Sequence, residues 1–151
     1  MTRRRLLSMA RAYLTVSDKN LVVARAQGRC EYCQCWAKYS TDPFHIEHVS
    51  PVSRGGADDL DNLALSCSGC NGHKYNKTDA PDPADGKIVP LFDPRRQRWA
   101  DHFGWQEDYL QIIGLTPTGR ATVEALQMNR PGVINLRELF ILANIHPPPV
   151  N

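Results

Sequence analysis

The chain has 151 residues, of which 42% are hydrophobic and 23% are charged, and its formal net charge is +2. These values are ordinary for a soluble globular protein that is long enough to bury a core. No apolar run approaches the ~20 residues that a membrane-spanning helix needs, so no membrane partner is expected. The basic start is followed by an apolar stretch that Arg11 interrupts, which is unlike a secretory signal peptide.

The charges are segregated along the chain. Residues 1–29 contain seven Lys or Arg and one acidic residue, residues 30–86 contain four and nine, and residues 87–151 contain seven and six. An acidic middle between basic flanks suits a nuclease, because carboxylates bind cations and arginines bind phosphates. We assign residues 1–16 as a basic N-terminal arm. Its Arg3, Arg4 and Arg5 either contact nucleic acid or form a solvated tail.

A helix is predicted directly after this arm. Ser17 or Asp18 is the expected N-cap, and the helix continues through the sequence LVVARAQ. Gly28 is expected to end it, since glycine is the residue most often found just beyond a helix C-terminus. The helix delivers the chain to the first of two cysteine pairs.

Two Cys-x-x-Cys pairs frame the acidic middle of the chain. Cys30 and Cys33 form the first pair and Cys67 and Cys70 the second, with 33 residues between the pairs. Each turn can point two thiolates at one ion, so the four cysteines predict a tetrahedral structural Zn²⁺ site. Such pairs are typical of a reduced compartment, and we expect a cytoplasmic protein. The fifth cysteine, Cys35, is expected to be a small buried or half-buried thiol.

The segment between the cysteine pairs predicts a β-hairpin followed by a helix. Residues 44–49 favour a strand, Gly55 and Gly56 favour a turn, and residues 60–66 favour a returning strand. A helix is expected to start near the second cysteine pair. His45 is either a third ligand beside Glu47 or a hydrogen-bonded strand histidine.

The remainder of the chain predicts short strands and two helices. Residues 78–86 are turn-rich and predict a linker, and the sequences KIVPLF and YLQIIGL predict strands. Thr116 and Pro117 are the expected N-cap and first residue of a helix that runs to about Asn129. Pro131 is expected to break the helical pattern, with a last amphipathic helix from Asn135.

The hairpin segment resembles the HNH endonuclease family. The residues that carry the resemblance are Glu47-His48, Gly55-Gly56, Asn62 and Cys67-x-x-Cys70-Asn71. The resemblance covers roughly residues 28–78, and residues 91–123 also resemble the C-terminal extension of a bacterial HNH subgroup. The implied fold is α+β: a small ββα-metal core with a four-Cys zinc clamp at residues 17–78, including an N-terminal helix. A strand and helix extension at residues 79–151 would pack on this core.

The resemblance also implies roles for individual residues. His48 would be the general base that activates water, and Asn62 would hold the hairpin loop so that His48 stays aimed. Glu47 and Asn71 would bind the catalytic divalent ion, and their oxygen atoms favour Mg²⁺ or Mn²⁺. We expect the nucleic-acid contacts to come from Arg54 and Lys74, together with Arg3, Arg4 and Arg5.

The function expected from these roles is metal-dependent hydrolysis of phosphodiester bonds in DNA, with double-stranded DNA as the partner. An RNA nuclease and a non-catalytic zinc-containing module that binds nucleic acid are the alternatives. A zinc clamp alone has no need of Glu47, His48, Asn62 and Asn71, so their presence argues against the non-catalytic module. Oligomeric state and target sequence stay open.

Overall fold

The computed structural model describes residues 14–149, so the predicted basic residues Arg3, Arg4 and Arg5 lie outside the described part of the chain. Within this part the helices are α1 Val16–Arg25, α2 Ser68–Lys74, α3 Trp99–His102, α4 Pro117–Ala125 and α5 Pro131–Leu142. The strands are β1 His45–His48, β2 Leu63–Ser66, β3 Asp79–Pro81, β4 Ile88–Pro90, β5 Phe103–Trp105 and β6 Ile112–Gly114. Each strand pairs with one neighbour, which gives three separate two-stranded antiparallel sheets. No described helix is long and apolar enough to cross a membrane.

Helix α1 begins slightly earlier than the sequence predicted. Its N-cap is Thr15, whose hydroxyl accepts a hydrogen bond from the backbone of Asp18, and the Asp18 side chain accepts one in return. This reciprocal pair is a capping box, which satisfies two backbone N–H groups that a helix start leaves free. At the other end Gln27 and Gly28 both have positive φ, and the Gly28 amide bonds to the carbonyl of Val23.

The hairpin and the following helix agree with the predicted ββα arrangement. In β1 and β2, Glu47 pairs with Ala64 and His48 pairs with Leu63. Helix α2 follows immediately, and its N-cap is Cys67, a residue of the second cysteine pair. The α+β fold class and the small core that carries the four cysteines are therefore confirmed.

The C-terminal part departs from the prediction in several elements: helix α3 and strand β5 were not expected, and α4 ends at Ala125 and not near Asn129. The expected linker contains strand β3, because Asp79–Pro81 pairs with Ile88–Pro90 across a turn. The last helix begins at Pro131 and not at Asn135, because proline is tolerated at the first helical position, where its missing N–H is not needed. Thr116 caps α4 as predicted, and its hydroxyl accepts from the Gly119 amide at 3.0 Å.

One hydrophobic cluster joins the two parts of the molecule. It contains Tyr32 and all five cysteines, packed together with Phe92, Trp99, Phe103, Leu126, Met128 and Phe140. The indole N–H of Trp99 donates to the backbone carbonyl of Tyr32 at 2.8 Å. The core that supports the cysteine pairs is therefore built partly from the C-terminal residues. Cys35 is buried, as the sequence predicted.

Candidate active site and zinc site

The four paired cysteines form one buried cluster. The sulfur atoms of Cys30, Cys33, Cys67 and Cys70 all lie within 4.8 Å of one another. Four thiolates at the Zn–S distance of ~2.3 Å in a tetrahedron are separated by about 3.8 Å. The sulfur atoms of Cys33 and Cys67 are 3.7 Å apart, which fits this geometry. The chemistry and spacing of this donor set therefore suit a structural Zn²⁺ ion.

Local backbone contacts shape each cysteine turn. In the first turn the amide of Cys30 donates to the carbonyl of Cys35, and Gln34 has a positive φ that reverses the chain. In the second turn the amide of Cys70 donates to the Cys67 sulfur at 3.4 Å, as at a helix N-cap. Both turns thus hold their sulfur atoms toward a common point.

An arginine from the C-terminal part contacts the second cysteine pair. The Arg130 guanidinium donates to the sulfur of Cys67 at 3.2 Å and to the sulfur of Cys70 at 3.7 Å. Burial by itself would lower the pKa of Arg130, but the Cys70 and Cys67 sulfur atoms raise it above its ordinary value. A set of four thiolates around one Zn²⁺ carries an excess negative charge, which this guanidinium partly offsets.

The loop between β1 and β2 is held by Asn62. Its side-chain oxygen accepts from the Ser50 amide at 2.9 Å, and its nitrogen donates to the carbonyls of Ser50 and Ala57 at 2.8 and 2.7 Å. Gly56 packs so closely that a Cβ atom there would lie 1.8 Å from the Ser50 oxygen. Asn62 and Gly56 together fix the loop that follows His48.

His48 and Asp58 form a pair beside this loop. The Nε2 atom of His48 lies 2.8 Å from Oδ1 of Asp58. An ionised carboxylate can only accept hydrogen bonds. Nε2 of His48 therefore carries a proton and donates a hydrogen bond to Asp58. In the neutral form of the ring the Nδ1 atom is then the unprotonated acceptor. The side chains of His48 and Asp58 are 30% and 34% exposed, so solvent reaches both.

Glu47 faces the interior, on the opposite side of the strand from His48. It is 7% exposed, its Oε1 accepts a hydrogen bond from the Tyr32 hydroxyl, and its Oε2 lies 3.5 Å from Nζ of Lys74. Burial raises the pKa of Glu47 above its ordinary value, while the Lys74 charge and the Tyr32 hydroxyl act against this rise. Burial and the Glu47 charge raise the pKa of Tyr32 well above its ordinary value, so the phenol stays protonated and donates.

Glu47, His48 and Asn71 nevertheless line one open cleft of about 280 Å³. The other walls of the cleft are formed by Ile46, Pro51, Val52 and Tyr75. Adjacent strand residues point to opposite faces, yet Glu47 and His48 both reach the cleft because β1 ends at His48, where the 49–62 loop begins. Glu47 lines the cleft from the buried face of β1, His48 from the end of β1, and Asn71 from helix α2.

Lys74 does not have the surface position expected of a nucleic-acid contact. It is 1% exposed, and its Nζ donates to the carbonyl of Val49 at 2.8 Å while pairing with Glu47. Lys74 lies on the last turn of α2, and its side chain extends beneath the β1–β2 hairpin. Its positive charge there pairs with the buried carboxylate of Glu47. Arg54, by contrast, is exposed on a short 3₁₀ turn after His48. His45 is exposed and its Nε2 lies 3.3 Å from the Ser68 hydroxyl, outside the lining of the cleft.

Three further residues that contribute to these sites were not singled out from the sequence. Asp58 lies in the acidic run SRGGADDLDN, which marks the loop but does not say which aspartate reaches His48. Tyr32 lies between Cys30 and Cys33, and its aromatic character predicts only burial. Arg130 is 60 residues beyond Cys70, so no sequence spacing connects the two.

Comparison with protein families identifies the hairpin segment. Residues 30–77 match the model of the HNH endonuclease family. Comparisons with curated proteins and with solved structures gave no match. The match begins at the first cysteine and ends just after α2, so it includes both cysteine pairs and every residue of the cleft. The chain therefore carries an HNH endonuclease domain at residues 30–77.

Proposed function

We propose that this protein is a metal-dependent endonuclease that hydrolyses phosphodiester bonds of DNA, with His48 as the general base. The observation that carries the proposal is the convergence of Glu47, His48 and Asn71 on one cleft of an HNH domain. A general base needs an unprotonated nitrogen that faces solvent, and a catalytic cation needs oxygen atoms beside it. In this cleft His48 would supply the nitrogen, and Glu47 and Asn71 would supply the oxygen atoms.

The Asp58 contact supports the role of His48. Because Nε2 donates to Asp58 at 2.8 Å, Nδ1 is free to accept a proton from a water molecule that attacks phosphorus. The carboxylate also stabilises the imidazolium that forms when this proton is taken up. Asn62 contributes by positioning, because its three hydrogen bonds hold the loop that follows His48.

The acidic side of the cleft suits a hard divalent cation. Glu47 uses Oε1 for the Tyr32 hydroxyl and Oε2 for Lys74, and each carboxylate oxygen has a second lone pair. Glu47 and the Asn71 amide oxygen would hold Mg²⁺ or Mn²⁺, which accept few protein ligands and keep several waters. Such an ion supplies charge stabilisation to the phosphoryl oxygens and to the leaving 3′ oxygen. The Lys74 charge acts against the rise in the Glu47 pKa that burial causes.

We further propose Zn²⁺ as the structural ion of the thiol cluster, and double-stranded DNA as the substrate. The thiolates require a reduced compartment, which supports the cytoplasm as the place of action. Arg54 is exposed next to the cleft, where it would contact a phosphate. We assign residues 17–78 as the nuclease core and residues 79–151 as an extension that completes the hydrophobic cluster around the cysteines.

A cleavage assay on supercoiled plasmid tests this function. Wild type should nick or cut the plasmid in Mg²⁺ or Mn²⁺, and His48→Ala should be slower by on the order of 10²–10⁴-fold, the contribution of a positioned general base. His73→Ala is the matched control, since His73 is exposed on the same helix as Asn71 and does not line the cleft.

Three outcomes would decide against the proposal. Equal rates for wild type and His48→Ala would show that His48 is not the base. Cleavage of single-stranded RNA but not of plasmid would make the protein an RNA nuclease. Binding of DNA without cleavage in any divalent metal would favour the non-catalytic binding module.

A further inference from the structure

A second cavity, of about 320 Å³, lies between the HNH core and the C-terminal part. Its walls carry four arginines, Arg25, Arg29, Arg95 and Arg98, so we call it the arginine cavity. Among the described lining residues, Glu31 is the one acidic side chain. Two of the arginines come from the end of α1 and the turn after it, and two come from the segment before α3. The cavity therefore exists only where the two parts pack together.

The positive charge of the arginine cavity is incompletely neutralised. Arg95 pairs with Glu31, but Arg25 donates to the Leu63 carbonyl at 2.6 Å, and Arg29 donates to the Gln27 side chain at 2.7 Å. Within residues 14–149, no carboxylate lies within ion-pair distance of Arg25, Arg29 or Arg98. Neutral acceptors satisfy hydrogen bonds but leave the charge uncompensated, which is costly for the buried Arg29, whereas Arg25 and Arg98 are exposed to solvent.

Two further observations are consistent with an anion-binding site. Burial and the neighbouring Arg95 charge lower the pKa of Arg25, although the Glu31 and Asp61 charges act against this, and burial lowers the pKa of Arg29. In addition, the Nε groups of Arg29 and Arg95 and the indole N–H of Trp105 are buried without an acceptor in the described structure. The walls thus hold more donors and more positive charge than the protein itself satisfies.

The arginine cavity adjoins β2, the strand that pairs with β1, and β1 carries Glu47 and His48. Arg25 donates to the carbonyl of Leu63, and Leu63 is the residue directly opposite His48 in the hairpin. Glu31 accepts from the Leu65 amide on the same edge of β2. Neighbouring strands are roughly 5 Å apart, so one rim of the cavity lies close to the cleft. The buried strand β2 lies between this rim and β1, so the cavity and the cleft are separate sites on the two edges of the hairpin.

We propose that the arginine cavity binds a backbone phosphate of the nucleic acid that the cleft cleaves, at a position away from the scissile bond. The proposal rests on the proposed nuclease function. Guanidinium groups bind phosphate oxygens through paired, charge-assisted hydrogen bonds, which suits a wall of several arginines. The C-terminal part then contributes directly to substrate binding, because it supplies Arg95 and Arg98.

Binding measurements in a cleavage-deficient background test this site. Fluorescence anisotropy of labelled duplex DNA would compare His48→Ala alone with the same protein carrying Arg98→Gln, Arg25→Gln or both. Arg98 is exposed, so its replacement should not disturb folding, and thermal melting checks this for each variant. Arg96→Gln is the matched control, because Arg96 is a neighbouring exposed arginine that does not line the cavity.

The double variant should bind duplex DNA about tenfold more weakly, since a hydrogen bond to a charged group is worth at least that much. The dependence of log K on log salt should become shallower by roughly 0.9 for each phosphate that the variant no longer neutralises. Arg96→Gln should leave both quantities unchanged. Equal weakening by Arg96→Gln and by the cavity variants would reveal a general charge effect and overturn the site.

A second experiment distinguishes binding of nucleic acid in the arginine cavity from binding of a free phosphate compound. Thermal melting of the same variants in inorganic phosphate and in adenosine monophosphate would report binding of small phosphates. If these ligands stabilise wild type but not the double variant, while DNA affinity is the same in both, the cavity serves a free phosphate and the proposal is overturned. Because binding is measured without cleavage, an inactive wild type would refute the nuclease function and leave this test intact.

Discussion

The thiol cluster and the proposed catalytic cleft both use helix α2, yet they are built in opposite ways. Cys30 and Cys70 are fully buried, and an arginine covers the second cysteine pair. In the cleft, His48 and Asp58 are about one-third exposed, and Glu47 and Asn71 are the two side chains that we assign to the ion. A structural ion is held by a closed shell of protein ligands, whereas a catalytic ion needs positions open to water and substrate.

Helix α2 shows how one element serves both sites. Cys70 and Asn71 are consecutive residues, and side chains one residue apart on a helix point about 100° away from each other. Cys70 is therefore directed into the buried cluster, while Asn71 reaches the cleft. Cys67 of the thiol cluster is the N-cap of α2, so the cluster fixes the start of this helix, and the helix in turn positions Asn71 and Lys74. Changes in the cluster should affect folding, and changes in the cleft should affect catalysis.

The largest effect is expected from Cys67→Ser. This change removes one zinc ligand and the N-cap sulfur of α2, so the protein should lose zinc and its cooperative unfolding transition, because structural zinc supplies folding free energy. Elemental analysis and circular dichroism melting measure both. Cys35→Ser is the control, since Cys35 is buried but is not one of the four clustered cysteines. The Cys35→Ser protein should keep its zinc. A folded, zinc-free Cys67→Ser protein would show that the cluster is not a structural site.

An intermediate effect is expected from Glu47→Gln, which keeps the size of the side chain. Cleavage at low Mg²⁺ should fall on the order of 10²-fold, as is typical when a metal site is weakened. Part of the loss should return at high Mn²⁺, because mass action refills a weak site, whereas His48→Ala should show no such recovery. Zinc content should stay at the wild-type level. Loss of zinc or of folding in Glu47→Gln would mean that the two sites are not separable in the way proposed.

The smallest effect is expected from Tyr32→Phe, which tests the link between the two sites. Tyr32 lies between Cys30 and Cys33, the first cysteine pair, and its hydroxyl donates to Glu47. Its removal should raise the Mg²⁺ concentration needed for half-maximal cleavage by about tenfold, with the rate at saturating metal nearly unchanged. Tyr39→Phe is the matched control, since Tyr39 is half exposed and does not line the cleft. A fall in the saturating rate with unchanged metal dependence would assign Tyr32 a different role.

Much of the fold around the sites could be predicted from local sequence. The hairpin and α2 follow from strand-forming residues, a glycine turn and a cysteine that caps a helix, all within a short stretch of chain. The helix at Pro117 was predictable because Thr116 and Pro117 form an N-terminal signal by themselves. The start of α5 was not, because Pro131 suits either a helix break or a first helical position. Strand β3 was also missed, since a three-residue strand is defined by its partner more than by its own sequence.

The sequence by itself determined the chemistry that is available: two cysteine pairs at matched spacing, and Glu47, His48, Asn62 and Asn71 in the order of an HNH domain. These features are local, so their meaning does not depend on how distant segments pack. The tertiary structure decided how that chemistry is arranged. It turned Lys74 inward to Glu47, brought Tyr32 to the same carboxylate, and placed Arg130 on the cysteine sulfurs. These contacts join residues 15 to 63 positions apart or depend on which helix face is buried, and packing alone settles such choices.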